Sequence, residues 1–299
     1  MRRRPLSATR LDIEVAGGTL AAFRLAEGAE GAPVVLAVHG ISSSSRSWVA
    51  VARELSGRAT LVAVDLRGRG ASNSLPGPYG IAVHARDVLA VLDGLELDRA
   101  VLAGHSLGAY VVARIAARHP GRVKAAVLVD GGLPIPGTEG VDPQEFLDAF
   151  LGPAVARLRM RFADREEYRD FWRAHPAFAT GGVDDADLVA YSDYDLVGEE
   201  PELRSAVSEE AVRHDAADLF EFGEDAGRLE VPATLLVAPR GLLDDPRPMQ
   251  PLPLASEWAA GAPELRRAIE VPDVNHYTIA LGPRGARAVA EAISAAARG

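Results

Sequence analysis

With 299 residues, nearly half of them apolar, the chain is long enough for one large α/β domain carrying an insertion or for two small domains. Cysteine is absent, which excludes a disulfide framework, a thiolate nucleophile and any cysteine-based zinc or iron–sulfur site. A formal charge of −10 argues against a nucleic-acid partner, which would require a basic face.

Met1-Arg-Arg-Arg-Pro-Leu opens the chain with basic residues, but no apolar run follows them, so no secretory signal is expected. No segment approaches the length of a membrane span. A cytoplasmic protein without a membrane partner is the expectation, and nothing bears on its oligomeric state. Lys124 is the single lysine, and arginine carries the rest of the basic charge, a bias typical of GC-rich bacterial coding.

In chain order, Thr9–Val15 alternates apolar and polar, Ala16-Gly-Gly-Thr turns, and Leu20–Leu25 returns as the second arm of a hairpin. Pro33–His39 is a continuous apolar run, as expected of a strand buried on both faces. A helix follows near Trp48–Leu55, then a second buried strand at Ala59–Asp65 and a helical period over Tyr79–Leu95. Arg99–Ala103 reads as a strand, Ala109–His119 as a helix stopped by Pro120, and Val123–Asp130 as another strand. Strands alternating with helices imply a parallel sheet with right-handed crossovers.

The alternation stops at Gly131-Gly132. From there to Gly223 no β-like run is evident; Gln144–Leu151, Ala154–Phe162, Glu166–His175 and Asp187–Leu196 carry helical spacing instead. The α/β pattern resumes with Pro232–Ala238, a helix near Leu254–Ala260, Leu265–Val271 and a last helix from Pro283. This predicts a core from residues 1–132 and 224–299, with a helical cap over 133–223 on the carboxyl edge of the sheet.

Between the strand at Arg99–Ala103 and its helix stands Gly104-His105-Ser106-Leu107-Gly108. Strand, G-x-S-x-G and helix together describe a nucleophile elbow. A serine on so sharp a turn needs small residues two positions to either side, and Gly104 and Gly108 meet that need. The helix N-terminus then offers backbone N–H groups to a developing negative charge.

A serine hydroxyl at neutral pH requires a base, and the base an orienting acid. Such partners follow in the order serine, acid, histidine. His276, in Asn275-His276-Tyr277 after the last strand, is the expected base. For the acid, Asp244 is preferred, with Asp130 at the end of the strand after the elbow helix as its competitor and Asp245 third. The N–H groups of Leu107 and Ile41 are the expected oxyanion donors, the latter behind the tight turn at His39-Gly40. Substrate contacts are expected from His39, Gly40, His105, Trp172, Tyr191 and Tyr194. The spacing of the histidines matches no metal-ligand pattern, so neither metal nor cofactor is expected.

His39-Gly40, Asp65-Leu-Arg-Gly-Arg-Gly-Ala-Ser72, Gly104–Gly108 and Asn275-His276-Tyr277 together resemble the α/β-hydrolase superfamily over nearly the whole chain, in particular its capped serine-dependent members. The histidine usual in the second of these signatures is Arg69 here. The resemblance implies an α/β-hydrolase fold, with a mostly parallel eight-stranded sheet flanked by helices and an inserted helical cap. It also implies a small-molecule acyl substrate. Superfamily members usually place the acid closer to the strand end than Asp244 lies, and some use the position that Asp130 occupies. Hydrolysis of a small, largely apolar ester, lactone or thioester is the leading expectation. Cofactor-free perhydrolysis of the haloperoxidase type, C–C bond hydrolysis, and ligand binding without catalysis are the alternatives.

Overall fold

The structure is a computed structural model that describes residues 8–137, 152, 155–219 and 222–298. Eight strands form one sheet: β1 (Thr9–Val15), β2 (Gly18–Ala26), β3 (Val34–Val38), β4 (Thr60–Val64), β5 (Ala100–His105), β6 (Val123–Val129), and, after the insertion, β9 (Ala233–Val237) and β10 (Arg266–Glu270). Their spatial order is β1-β2-β4-β3-β5-β6-β9-β10. β1 and β2 form the expected hairpin, β2 meets β4 antiparallel, and every other pairing is parallel.

The strand order explains where a site can form. From β3 the chain crosses to β4 on one side and then returns past β3 to β5 on the other. The loops after β3 and β5 therefore part in opposite directions and open a crevice at the carboxyl edge, where ligands of open α/β sheets bind. β5 and β6 are neighbours, so the residues following β3, β5 and β6 line up along that crevice.

Both faces of the sheet are covered, which accounts for the unbroken apolar runs. Leu36 and Val38 of β3 face a cluster with α2 (Ile81–Gly94) and α3 (Leu107–Arg118). Val35 and Ala37 point the opposite way, toward Trp48, α1 (Val49–Leu55) and α11 (Pro283–Arg298). All four are fully buried, and the Val35, Leu36 and Val38 side chains each contribute about 1.5–3 kcal/mol on leaving water.

Between β6 and β9 the chain carries α4 (155–159), α5 (Arg165–Ala174), α6 (Pro176–Ala179), α7 (Asp185–Asp195) and α8 (Glu209–Asp218). The sequence reading expects no strand here. In fact Leu196–Val197 (β7) and Arg204–Ser205 (β8) pair antiparallel as a two-residue clasp. So short a pairing leaves no alternation to read. The expected helix over Gln144–Leu151 lies outside the described residues.

α5 is entered through Asp164, whose carboxylate accepts from the Glu167 N–H as an N-cap. Tyr168 and Trp172 of α5 pack with Phe162, Phe178 and Tyr191 in a separate aromatic core. The chain closes with β10, α10 (Thr278–Leu281) and α11. No helix among the described residues is long and apolar enough to cross a membrane.

Candidate active site

Ser106 ends β5 and precedes α3 with φ 54° and ψ −121°, a region that a residue with a Cβ enters only at a cost of about 1–3 kcal/mol. Surrounding backbone holds it there. Its N–H donates to the Val129 carbonyl at 2.9 Å, and its carbonyl accepts from Ala109 N–H at 2.9 Å. A Cβ on Gly104 would lie 2.1 Å from the Gly108 carbonyl oxygen, and one on Gly108 would lie 2.1 Å from that of Val38. The two glycines are therefore required by close approach, one across the turn itself and one against β3. Leu107, the first residue of α3, belongs to the turn whose N–H groups have no intrahelical acceptor.

His276 lies in the loop between β10 and α10, and Asn275 gives that loop its shape. Its side-chain oxygen accepts from the Tyr277 and Thr278 N–H groups, at 3.0 and 2.9 Å, while its own N–H donates to Thr278 Oγ1 at 2.8 Å. The His276 Nδ1 lies 2.7 Å from Asp130 Oδ2, and both side chains are almost wholly buried. Asp130 follows β6 with a positive φ of 49°, and its other oxygen accepts from Ala238 N–H at 3.0 Å. With Nδ1–H donated to the carboxylate, Nε2 of a neutral His276 remains a proton acceptor.

The preferred acid of the sequence reading, Asp244, does not face His276. Its carboxylate accepts from Arg240 Nε at 2.7 Å and from Asn275 Nδ2 at 3.2 Å. Arg240 holds it below the usual carboxylate range, with a smaller contribution from Asn275. Asp244 thus braces the residue beside His276. Asp245 is spent on Arg247, accepting from its backbone N–H at 3.1 Å and from Nε at 3.3 Å. The competitor, Asp130, is the carboxylate brought to the imidazole.

The loop after β3 passes close to the elbow: a Cβ on Gly40 would stand 3.1 Å from the Ser106 Cβ. His39 shapes this loop and is not a cavity wall, contrary to the sequence expectation. The Leu66 N–H donates to its Nε2 at 3.0 Å, which leaves Nδ1–H to donate to the Gly40 carbonyl at 2.7 Å. Burial lowers the His39 pKa to about 3, so the ring stays neutral. Because the peptide is planar and trans, pinning the Gly40 oxygen also fixes the opposite direction of the Ile41 N–H.

One residue further, Arg69 donates from Nε and Nη2 to the Ile41 carbonyl at 2.9 and 2.8 Å. Arg69 also pairs with Asp215 at 2.6 Å, and His84 Nε2 approaches the same carboxylate oxygen at 2.8 Å; all three side chains are fully buried. Burial by itself would raise the Asp215 pKa, but Arg69 and His84 bring it down to about 2. This network was not foreseen from the sequence. The one available signal was the arginine at position 69, where the resembled signature has histidine.

Ser106, Asp130 and His276 border one cavity together with Gly40, Ile41 and His105. The inserted segment contributes His175, Tyr191 and Leu219 to its walls, and the loop after β9 contributes Leu242, Leu243 and Met249. Of the expected contacts, Gly40, His105 and Tyr191 are there. His105 also braces the base, its Nε2–H donating to the His276 carbonyl at 2.8 Å. Trp172 and Tyr194 are not cavity walls. Trp172 is consumed in the aromatic core, and the Tyr194 hydroxyl donates to buried Asp65. Leu219, Met249 and His175 went unrecognised, since single apolar residues and a helix-end histidine carry no distinctive pattern.

Residues 33–195 match the family model described as the alpha/beta hydrolase fold. A Mycobacterium phage D29 protein that carries the name non-heme haloperoxidase is 42% identical over 101 residues, 33% of this chain and 36% of that protein. The 2-(acetamidomethylene)succinate hydrolase of Mesorhizobium japonicum is 36% identical over 113 residues, 38% of this chain and 40% of its own length. The matched stretches thus span two-fifths or less of these relatives. Among solved structures, an E-2-(acetamidomethylene)succinate hydrolase superposes with a TM-score of 0.78 at 21% identity, covering 97% of this chain and 98% of that one, a likeness of fold.

Proposed function

This chain belongs to the α/β-hydrolase family, and from that premise we propose that it is a serine hydrolase acting on a small, largely apolar ester, lactone or thioester. Ser106 is the nucleophile, His276 the base and Asp130 the orienting acid. The observation that carries the reading is the buried 2.7 Å contact between His276 and Asp130 beside a serine in a strained elbow. Structural histidines rarely combine these features.

The chemistry follows from the atoms. His276 Nε2 takes the Ser106 hydroxyl proton as Oγ attacks the substrate carbonyl, and Asp130 stabilises the imidazolium that forms. The Leu107 and Ile41 N–H groups meet the oxyanion, one from the start of α3 and one from a peptide that His39 has already oriented. His276 then returns the proton to the leaving group. Water repeats the sequence to release the acid and restore Ser106. The described part of the inserted segment, through Ile135, His175, Tyr191 and Leu219, acts as the cap over the cavity.

Labelling with a fluorophosphonate, alongside p-nitrophenyl acyl esters of increasing length, tests this. Wild-type protein is expected to carry the label on Ser106 and to hydrolyse short esters, and Ser106→Ala to do neither. An unlabelled Ser106 in folded protein would remove the enzyme reading and leave a ligand-binding role. The phage relative's name supports perhydrolysis as a second reading. Peracid formation from peroxide and acetate, faster than ester hydrolysis, would favour it.

A further inference from the structure

The charge lining the cavity bears on substrate class. Among the described residues that border it there is neither arginine nor lysine. The two histidines beyond the catalytic one are uncharged at neutral pH. Burial takes His105 to about 3, and burial together with nearby Arg157 takes His175 to about 4. What remains on the walls is apolar (Ile135, Leu219, Leu242, Met249) or hydroxylic (Ser42, Ser43, Tyr191, Tyr277).

Arg157 is the cation to consider, because it acts electrostatically on His175, Tyr191 and Tyr277 from behind the wall. Both of its terminal nitrogens are already engaged. Nη1 bonds Tyr168, Asp195 and Ser205, and Nη2 donates to the Ser42 carbonyl at 3.0 Å. The guanidinium is paired with the Asp195 carboxylate, and its face lies over the Trp172 ring. Arg157 therefore has both terminal nitrogens bound to protein groups and braces the wall from outside the residues that border the cavity.

We propose that the substrate is electrically neutral around its scissile carbonyl, and that this cavity rejects acyl groups bearing a carboxylate. The proposal rests on the serine-hydrolase reading and narrows it. A carboxylate entering here would give up its water without gaining a cation, and it would share the cavity with the Asp130 charge. A neutral acyl chain meets no such penalty: its methylenes lie against the aliphatic wall of Ile135, Leu219, Leu242 and Met249. The name of the Mesorhizobium relative specifies a succinate, a dicarboxylate. Among the described residues that border this cavity, none carries the arginine or lysine that would receive such a substrate.

The test uses wild-type protein and p-nitrophenyl esters of one six-carbon acyl chain that ends in methyl, methyl ester, carboxylate or trimethylammonium. Removing a charge from water without a partner predicts kcat/KM for the carboxylate-ended ester about 100-fold or more below both neutral esters. A carboxylate ester within about threefold of its methyl ester would overturn the proposal, as would a preference for the trimethylammonium ester. Fluorophosphonate labelling of the same preparation separates the two failures. If Ser106 is labelled and charge is not discriminated, the charge proposal falls alone; if Ser106 is unlabelled, the hydrolase reading falls and takes the charge proposal with it.

Discussion

The Asp130 carboxylate approaches the His276 imidazole at 2.7 Å, while Asp244, the nearer of the two in sequence, is bound to Arg240 and Asn275. Asp130→Asn is expected to lower kcat by roughly 10³–10⁴-fold, because an amide stabilises the wrong imidazole tautomer and no imidazolium. Asp244→Asn should lie within about tenfold of wild type, since it only loosens the Asn275 support. Steady-state kinetics on the best ester decides between them, with circular dichroism to show that both variants fold. The reverse order of losses would return the acid role to Asp244.

Ala at position 108 would carry a Cβ 2.1 Å from the Val38 carbonyl oxygen, whereas at Gly121 no atom lies within 4 Å of the added carbon. Gly108→Ala should lose about 3 kcal/mol or more through forced separation of α3 from β3, and Gly121→Ala should stay within about 0.5 kcal/mol of wild type. Urea unfolding midpoints provide the comparison. Equal midpoints would mean that the elbow can relax.

In the proposed mechanism, the Arg69 grip on the Ile41 carbonyl makes it a positioning residue for the proposed oxyanion donor. Arg69→Lys keeps the charge toward Asp215 but not the two-nitrogen grip, and is expected to lower kcat by about 10–100-fold with little change in KM. Asp215→Asn instead leaves Arg69 buried beside a neutral partner and should destabilise the fold by about 3–5 kcal/mol. Loss of stability without loss of kcat in folded Arg69→Lys would make the network purely structural.

Acid should weaken the fold before it protonates any surface carboxylate in bulk. The buried His39 and His105 have pKa values near 3, below the ordinary histidine value. Below about pH 6.5 the unfolded chain takes up protons that these folded rings refuse, so stability is complete above that pH and falls by about 1.4 kcal/mol per pH unit per histidine on the way down. Asp215, held to about 2, adds a second loss as its pairing is titrated away below the normal aspartate range. Urea midpoints measured from neutral pH to about pH 5 should decline steadily, and less steeply in His39→Gln. A flat profile over that range would contradict the buried neutral rings.

Features written in local spacing were legible in the sequence. Gly104 to Gly108 between a strand and a helix specify a turn whatever the rest of the chain does, because the contact between the two glycines lies within five residues. The parallel sheet followed from apolar runs too continuous for one buried face, and His276 from its place after the last strand. The acid was different. Asp130 and Asp244 both follow neighbouring strands, β6 and β9, and both emerge at the same edge. Nothing in composition or spacing tells which carboxylate finds imidazole and which finds guanidinium.

Tertiary packing also sorted the aromatics. Trp172 and Tyr191 sit on adjacent helices of one aromatic cluster, yet only Tyr191 reaches the cavity. A helical period reports that a face is buried, not what lies opposite it. The same limit hid the charge of the pocket, since residues from loops and helices spread from Gly40 to Leu281 must converge before a missing cation can be noticed. The chain by itself determined that a serine would be raised on an elbow at a sheet edge, because that depends on neighbours in sequence. Which carboxylate backs the histidine, and which residues converge on the cavity, are long-range facts that only the folded arrangement decided.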